Sequence, residues 1–173
     1  DEPMDLSTLS LGQYTFVQNA FSFGLAVMAA ATLFLWFSRS HVAPSYRMAI
    51  TISGLVTAIA AYHYLQIMLS WEAAFSAVGG TLEVTGYPFN QAYRYVDWLL
   101  TVPLLLVELI LVMRLSKSET VSKSVTLGGA AALMIVLGYP GEVSEDAGTR
   151  FTFWVLSMIP FIYIVYQLVV GLK

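Results

Sequence analysis

The sequence predicts an all-α membrane protein: a transmembrane helical bundle with a short β-hairpin between its second and third spans. Three observations favour this class. Of the 173 residues, 58% are hydrophobic and only 11% are charged, whereas soluble domains carry about a quarter charged residues. The mean hydropathy is +0.73. Five apolar stretches are long enough to cross a bilayer, which takes about 20 residues. A soluble bundle would need a polar face on each helix, and none of the stretches has a continuous one.

The five predicted spans follow one another along a single transmembrane domain, residues 1–173. They are Tyr14–Phe37, Tyr46–Leu69, Gln91–Met113, Ser122–Tyr139 and Arg150–Leu172. In the longer second link, residues 70–90, the Gly79-Gly80 pair on one side and Gly86 and Pro88 on the other bound an alternation of Leu82 and Val84. That pattern predicts an external hairpin strand, which we interpret as a connector over the mouth of the bundle, with a functional lid as the alternative.

The charged residues separate onto two sides of the predicted bundle. Basic residues flank the first and third links and follow the fifth span: Arg39, Arg47, Arg114, Lys117, Lys123 and Lys173. Acidic residues fall on the other side: Asp1, Glu2, Asp5, Glu72, Glu83, Glu142, Glu145 and Asp146. The positive-inside rule therefore predicts a multi-pass protein of the cell (inner) membrane with its N-terminus outside. Since the chain begins Asp1-Glu2-Pro3, we expect no intact signal peptide.

The composition also bounds the partners and the chemistry. A net charge of -3, with 8 basic against 11 acidic residues, leaves no basic stripe for nucleic acid. The chain has no cysteine and only His41 and His63, which share no helical face, so we expect no metal site. We find no paired nucleophile and base and no phosphate loop, so an enzyme is not expected. The lipid bilayer and protons remain as the expected partners.

Ionisable residues inside spans are costly and therefore mark function. On the third span, Thr101 lies ~40° and Glu108 ~20° around the helix from Asp97, at axial offsets of ~6 Å and ~16.5 Å. Two carboxyls at different depths on one face are what a proton path requires. Arg94, one turn outward, favours an anionic Asp97, and apolar neighbours favour a neutral Glu108. The structural alternative is an Arg94–Asp97 ion pair and a Glu108 hydrogen bond between helices.

His63 on the second span lies at the same predicted depth as Asp97. It could hydrogen-bond the Asp97 carboxylate and tune its titration near neutral pH. A packing role for a lone buried histidine is the alternative. Pro103 and Pro160 should bend their spans.

The third span closely resembles helix C of microbial rhodopsins over Tyr93-Arg94-Tyr95-Val96-Asp97-Trp98-Leu99-Leu100-Thr101-Val102-Pro103-Leu104-Leu105. The resemblance continues through Ala61-Tyr62-His63-Tyr64, Ser70-Trp71-Glu72-Ala73-Ala74 and Leu137-Gly138-Tyr139-Pro140-Gly141-Glu142-Val143, and covers the chain from about Tyr14. With His63 present, the pattern looks like the proteorhodopsin and xanthorhodopsin branch of light-driven proton pumps.

The resemblance implies a role for each residue of this group. Asp97 would be the Schiff-base counterion and proton acceptor, Thr101 an adjacent hydrogen-bonding residue, and Glu108 the cytoplasmic proton donor. His63 would pair with the counterion and, with Arg94, adjust its proton affinity. The implied function is a light-driven outward proton pump that uses all-trans retinal. A sensory rhodopsin that signals through a partner and a retinal-free membrane scaffold fragment are the alternatives, although sensory members commonly lack a carboxyl at the Glu108 position.

The implied retinal pocket comprises Trp98, Leu105, Met134, Gly138, Trp154, Ser157 and Phe161. Leu105 resembles green-absorbing members, where blue-absorbing ones have glutamine. Members with a carotenoid antenna have glycine at the position of Trp154, so we expect no antenna here. The family implies a homo-oligomer, a pentamer or hexamer.

The family has seven helices and attaches retinal to a lysine on the seventh, whereas this sequence carries five spans. Lys117, Lys123 and Lys173 are all expected at cytoplasmic helix ends, away from Asp97. We therefore expect the sixth and seventh helices of the family, helices F and G, and the retinal lysine to lie outside this sequence, as in an incomplete or cut chain.

Overall fold

The computed structural model describes residues 9–90 and 92–171. Within them the chain forms five α-helices and one two-stranded sheet. The helices are α1 (Leu11–Ser38), α2 (Arg47–Ala74), α3 (Ala92–Val112), α4 (Lys117–Val143) and α5 (Ala147–Val169), and the strands are β1 (Phe75–Val78) and β2 (Thr81–Val84). All five helices are long and apolar enough to cross a membrane. The predicted fold class is thereby confirmed.

Several sequence predictions fall on residues outside this description. They are the start of the third span at Gln91, the end of the fifth at Leu172, and the charges at Asp1, Glu2, Asp5 and Lys173.

Each helix packs against the next one along the chain, from α1 on α2 to α4 on α5. At one end of the bundle the Arg114 guanidinium carbon lies 5.6 Å from the Tyr46 ring centroid, and Lys123 Nζ donates to Gln167 Oε1 at 2.7 Å. We call this the basic end. The opposite end carries the β1–β2 hairpin, and we call it the hairpin end.

Four helices run further at one end or both than their hydropathy predicts: α1 and α5 begin three residues early, and α2 and α4 differ most. α4 begins at Lys117 instead of Ser122 because Ser116 and Glu119 form a reciprocal capping box that satisfies backbone N–H groups at the helix start. It continues through Pro140 to Val143, although Pro140 has no backbone N–H and so removes one hydrogen bond near the end of the helix. α2 extends from Leu69 to Ala74, because Trp71 and Ala74 bury their side chains at the hairpin end.

The hairpin pairs β1 with β2 in antiparallel register, Phe75 opposite Val84 and Val78 opposite Thr81. Gly79 and Gly80 form its turn with φ values of +59° and +86°, a conformation that glycine adopts without strain and that two-residue hairpins need. The sequence predicted only the second strand, because β1 follows α2 with no intervening turn signal. Leu82 packs on the buried cluster of Trp71, Ala74 and Phe75, so the hairpin covers one end of the α1–α2 pair.

The interior consists of two apolar clusters and a close α1–α2 contact. Ile110, Leu127, Ala131 and Ile164 join α3, α4 and α5. On the other side of the bundle, the Trp36 indole lies against Gly54 and the Tyr64 ring against Gly24. Any larger residue at these glycines would separate α1 from α2. Large apolar side chains cover the outer helix surfaces, as expected where lipid is the solvent.

Candidate functional site

The first part of the site is built on the hairpin-end half of α3. Asp97 and Thr101 are separated by one helical turn, and Thr101 Oγ1 donates to the Asp97 backbone carbonyl at 2.8 Å. Thr101 is buried. The hydroxyl therefore lies next to the carboxylate at the level that the helical spacing predicts.

His63 of α2 faces Asp97 across the helix interface. Its Nδ1 lies 3.2 Å from Asp97 Oδ1, and the two side chains are 7% and 18% exposed. The same Nδ1 lies 3.0 Å from the Ile59 carbonyl oxygen. One ring nitrogen carries at most one hydrogen, so an Nδ1–H that bonds to Ile59 approaches Asp97 without donating to it.

Asp97 Oδ1 is consequently a buried acceptor with no hydrogen-bond donor among the described residues. Such groups are rare in folded proteins because an unsatisfied buried oxygen is costly. Asp97 is also one of the residues that line a cavity of about 190 Å³, together with His63, Tyr64, Arg94 and Trp98. The site thus combines a buried acceptor oxygen with an adjacent internal cavity.

Arg94 contributes to the same cavity from one turn closer to the hairpin end. Its Nη2 forms an ion pair with Glu142 Oε1 of α4 at 3.8 Å, and both side chains are about half exposed. Sequence reasoning placed Glu142 only among the outer surface charges. The signal that could have identified it is its position at the end of the Leu137–Val143 segment, which carries part of the family resemblance.

The second carboxyl, Glu108, lies on the basic-end half of α3, about 16.5 Å along the helix from Asp97. Ser53 Oγ of α2 donates to Glu108 Oε1 at 2.5 Å. Ser53 was not predicted, because α2 carries several hydroxyl residues and the sequence does not reveal which one faces α3. The hydrogen bond between helices that the structural alternative required is therefore present.

The predicted retinal-pocket residues fall into three groups: those that line one cavity, one that lines a second cavity, and those that line neither. Gly138, Trp154 and Ser157 line one cavity of about 420 Å³ between α4 and α5, together with Tyr95 and Glu142. Trp98 lines the cavity beside Asp97, while Leu105, Met134 and Phe161 line neither of these two spaces. Trp98, Leu105, Trp154 and Phe161 are between 38% and 57% exposed in the five-helix bundle.

Comparison with known proteins gives consistent matches. The family model for bacteriorhodopsin-like proteins matches residues 15–173. Green-light absorbing proteorhodopsin from Gamma-proteobacterium EBAC31A08 is 31% identical over 146 residues, which are 84% of this chain and 53% of that protein. The chain thus spans about half the length of the curated relatives it matches.

Two solved structures extend the likeness to three dimensions. Xanthorhodopsin, described as a light-driven ion pump with dual chromophore, is 54% identical with a TM-score of 0.92, covering 96% of this chain and 68% of the other. A thermophilic rhodopsin is 49% identical with a TM-score of 0.90, covering 95% of this chain and 65% of the other.

Proposed function

The chain belongs to the bacteriorhodopsin-like family, and from that premise we propose that it provides the proton-transfer helices of a light-driven outward proton pump that uses retinal. A pump of this kind is a transporter and not an enzyme. The observation that carries the proposal is the pair of carboxyls on α3, each in contact with a side chain of α2: His63 with Asp97 at 3.2 Å, and Ser53 with Glu108 at 2.5 Å.

The residues present fit retinal. Asp97 Oδ1 is a buried oxygen without a donor among the described residues, which suits a cationic partner, and exposed aromatic side chains suit a polyene. Those that would hold it are Trp98, Leu105, Met134, Gly138, Trp154, Ser157 and Phe161. When bound, retinal supplies light absorption and the proton that is moved. The attachment lysine, which the resemblance places on a seventh helix, lies outside the five helices described.

Asp97 accepts the proton at Oδ1, the buried oxygen that has no donor among the described residues. Thr101, whose hydroxyl donates to the Asp97 backbone carbonyl, lies one turn along the helix beside the acceptor. His63 lies close enough to stabilise either charge state of the pair by reorienting its Nδ1–H between Ile59 and Asp97. Arg94, paired with Glu142, supplies positive charge on the hairpin-end side, where the proton would leave.

Glu108 holds the proton that replaces the one given to Asp97. Its hydrogen bond from Ser53 keeps the carboxyl at a fixed place against α2. Apolar residues of α3 separate Glu108 from Asp97, and this separation prevents a direct leak between the two carboxyls. Delivery of the proton therefore requires a transient hydrated path in the basic-end half.

The direction of transport follows from the orientation in the membrane. With the basic end cytoplasmic, as the positive-inside rule predicts, the N-terminus is outside, Glu108 takes protons from the cytoplasm, and Asp97 passes them outward. The resemblance further implies a cell-membrane location, a pentamer or hexamer, and green absorption through Leu105.

We further propose that the pump has no carotenoid antenna. Trp154 lines the α4–α5 cavity beside Gly138 and Ser157 and is more than half exposed on the helix surface. An indole there fills the place that a carotenoid ring would need. The substitution Trp154→Gly should open it, and energy transfer from added carotenoid to retinal, read in the fluorescence excitation spectrum, would appear only in that variant.

The experiment that tests the main proposal follows the external pH of cells that express the complete reading frame and receive retinal. We expect acidification on illumination that a protonophore abolishes. A protein that binds retinal and produces no pH change would overturn the pump and favour a photosensor. Absence of any visible band after retinal addition would instead favour a retinal-free scaffold.

A further inference from the structure

The basic end contains a cavity that the proton path does not use. It has a volume of about 380 Å³, lies at the link between α1 and α2, and is lined by Trp36, Phe37, Arg39, Ser40 and Arg47. Two short 3₁₀ turns, Arg39–His41 and Pro44–Tyr46, fold this link back on itself. The two arginines are thereby brought to one cavity although eight positions separate them.

Arg47 is held in place on the link. Its Nε donates to the Val42 carbonyl at 3.2 Å, which leaves the other N–H groups of the guanidinium available. A planar guanidinium with free N–H groups matches the oxygens of a phosphate. A second arginine on the same cavity provides the matching charge for a phosphate anion.

No ion pair within residues 9–90 and 92–171 neutralises this charge. Among the described residues neither Arg39 nor Arg47 forms an ion pair. Glu119, the described carboxylate nearest in sequence to the α3–α4 link at this end, accepts from the Ser116 hydroxyl and backbone N–H in the α4 capping box. Arg114 adds a further positive charge nearby, against Tyr46.

The remaining wall of the cavity is aromatic and lies at the end of a membrane-spanning helix. Trp36 is fixed by donation from Nε1 to the Thr51 carbonyl at 3.3 Å and by its contact with Gly54. Phe37 is 76% exposed and continues the apolar outer surface of α1. The cavity thus combines cationic groups at the membrane surface with an apolar path along which an acyl chain can lie.

We propose that this cavity binds the phosphate headgroup of an anionic phospholipid, with Arg39 and Arg47 contacting the phosphate and Trp36 and Phe37 contacting the first part of an acyl chain. The site is separate from the proton path, so its occupancy and the pumping activity can be tested independently.

The test measures lipid retention by native mass spectrometry of the full protein in nanodiscs of nine parts phosphatidylcholine to one part phosphatidylglycerol. We expect the protein to retain phosphatidylglycerol in preference to phosphatidylcholine. Each arginine near an anionic surface strengthens binding about fivefold, so Arg39→Gln with Arg47→Gln should weaken retention about 25-fold. Lys117→Gln with Lys123→Gln removes the same charge on the same side and should change retention less than twofold.

Three outcomes would overturn the proposal: equal retention of the two lipids, an equal loss in the lysine control, or displacement of the lipid by millimolar inorganic phosphate, which would identify a free-phosphate site instead. A second measurement needs no variant. Hydrogen–deuterium exchange of the unaltered protein should show protection of residues 36–47 in nanodiscs with phosphatidylglycerol relative to pure phosphatidylcholine, and equal exchange in both would also refute the site.

Discussion

Replacing Ser53 with alanine tests whether the α2 contact with Glu108 serves proton delivery. Ser53 Oγ donates to Glu108 Oε1 at 2.5 Å in a half-buried position. A hydrogen bond to a neutral group, such as a protonated carboxyl, contributes about 0.5–1.5 kcal/mol, and the short distance places this one near the upper limit. Because 1.36 kcal/mol corresponds to a factor of ten, the bound position of the carboxyl should become about tenfold less populated. The step that takes a proton from Glu108 should slow about tenfold.

The assay is flash spectroscopy of the retinal-bound protein, which separates the step that reprotonates the chromophore from the earlier release to Asp97. We expect Ser53→Ala to slow only the later step, and Glu108→Gln to slow it more strongly. Ser53→Thr keeps the hydroxyl and should restore most of the rate. Thr51→Val is the matched control, since among the described residues the Thr51 hydroxyl on the same helix donates to the Arg47 carbonyl and forms no hydrogen bond with Ser53 or Glu108.

A reprotonation rate within twofold of the unaltered protein in Ser53→Ala would refute the positioning role of Ser53. An unchanged rate in Glu108→Gln would refute the donor assignment itself. Equal slowing in Thr51→Val would show that loss of a hydroxyl on α2 slows the step through general destabilisation of the helix.

Three further predictions concern the acceptor, the α1–α2 contact and a helix end. Asp97→Asn should abolish the light-driven pH change and shift the visible absorption to the red, because an amide neither accepts the proton nor carries the negative charge. Asp97→Glu, which keeps the carboxyl, is the control. Pumping by Asp97→Asn would refute the acceptor role. Gly54→Ala should lower the free energy of unfolding by about 1–3 kcal/mol through overpacking against Trp36, as measured by thermal unfolding in detergent. The control Gly129→Ala, with no atom near the added methyl group, should leave it unchanged. Equal effects of the two substitutions would refute the contact. Thr149 donates two hydrogen bonds to Asp146 Oδ2, one from its hydroxyl at 2.8 Å and one from its backbone N–H at 2.7 Å. They hold the pKa of Asp146 below its usual range. The stability that Asp146 gives α5 is therefore present above the unfolded-state pKa and is lost as pH falls through the folded-state pKa. Asp146→Ala should accordingly lower the melting temperature at neutral pH but not in strong acid. The control Glu145→Ala should leave the melting temperature unchanged at both pH values.

The sequence could predict the helices and the level of each ionisable group because both depend on local quantities. Apolar length determines a span, and a rise of 1.5 Å per residue determines depth, so His63 and Asp97 could be matched before any contact was known. Helix ends were less predictable, since hydropathy does not detect the Ser116–Glu119 capping box that starts α4.

The partners of Arg94 and Glu108 depend on how helices rotate about their own axes, which a single sequence does not encode. Ser53, Thr51 and Thr57 are chemically similar residues on α2, and only the packing of α2 against α3 selects Ser53. The Arg94–Glu142 pair likewise requires α4 to continue past Pro140, whereas hydropathy predicted an end at Tyr139.

The two α2–α3 contacts also constrain each other. Ten positions separate Ser53 from His63 on α2, and eleven separate Glu108 from Asp97 on α3, so the axial distances are about 15 Å and about 16.5 Å. Because these agree within one residue, one register of the two antiparallel helices satisfies both contacts, and a shift that breaks one must break the other. The Trp36–Gly54 and Tyr64–Gly24 contacts position α2 against α1, so a larger residue at Gly54 would push α2 relative to its neighbours. A substitution that displaces α2 at Gly54 should therefore alter both proton steps together, whereas Ser53→Ala should alter only one.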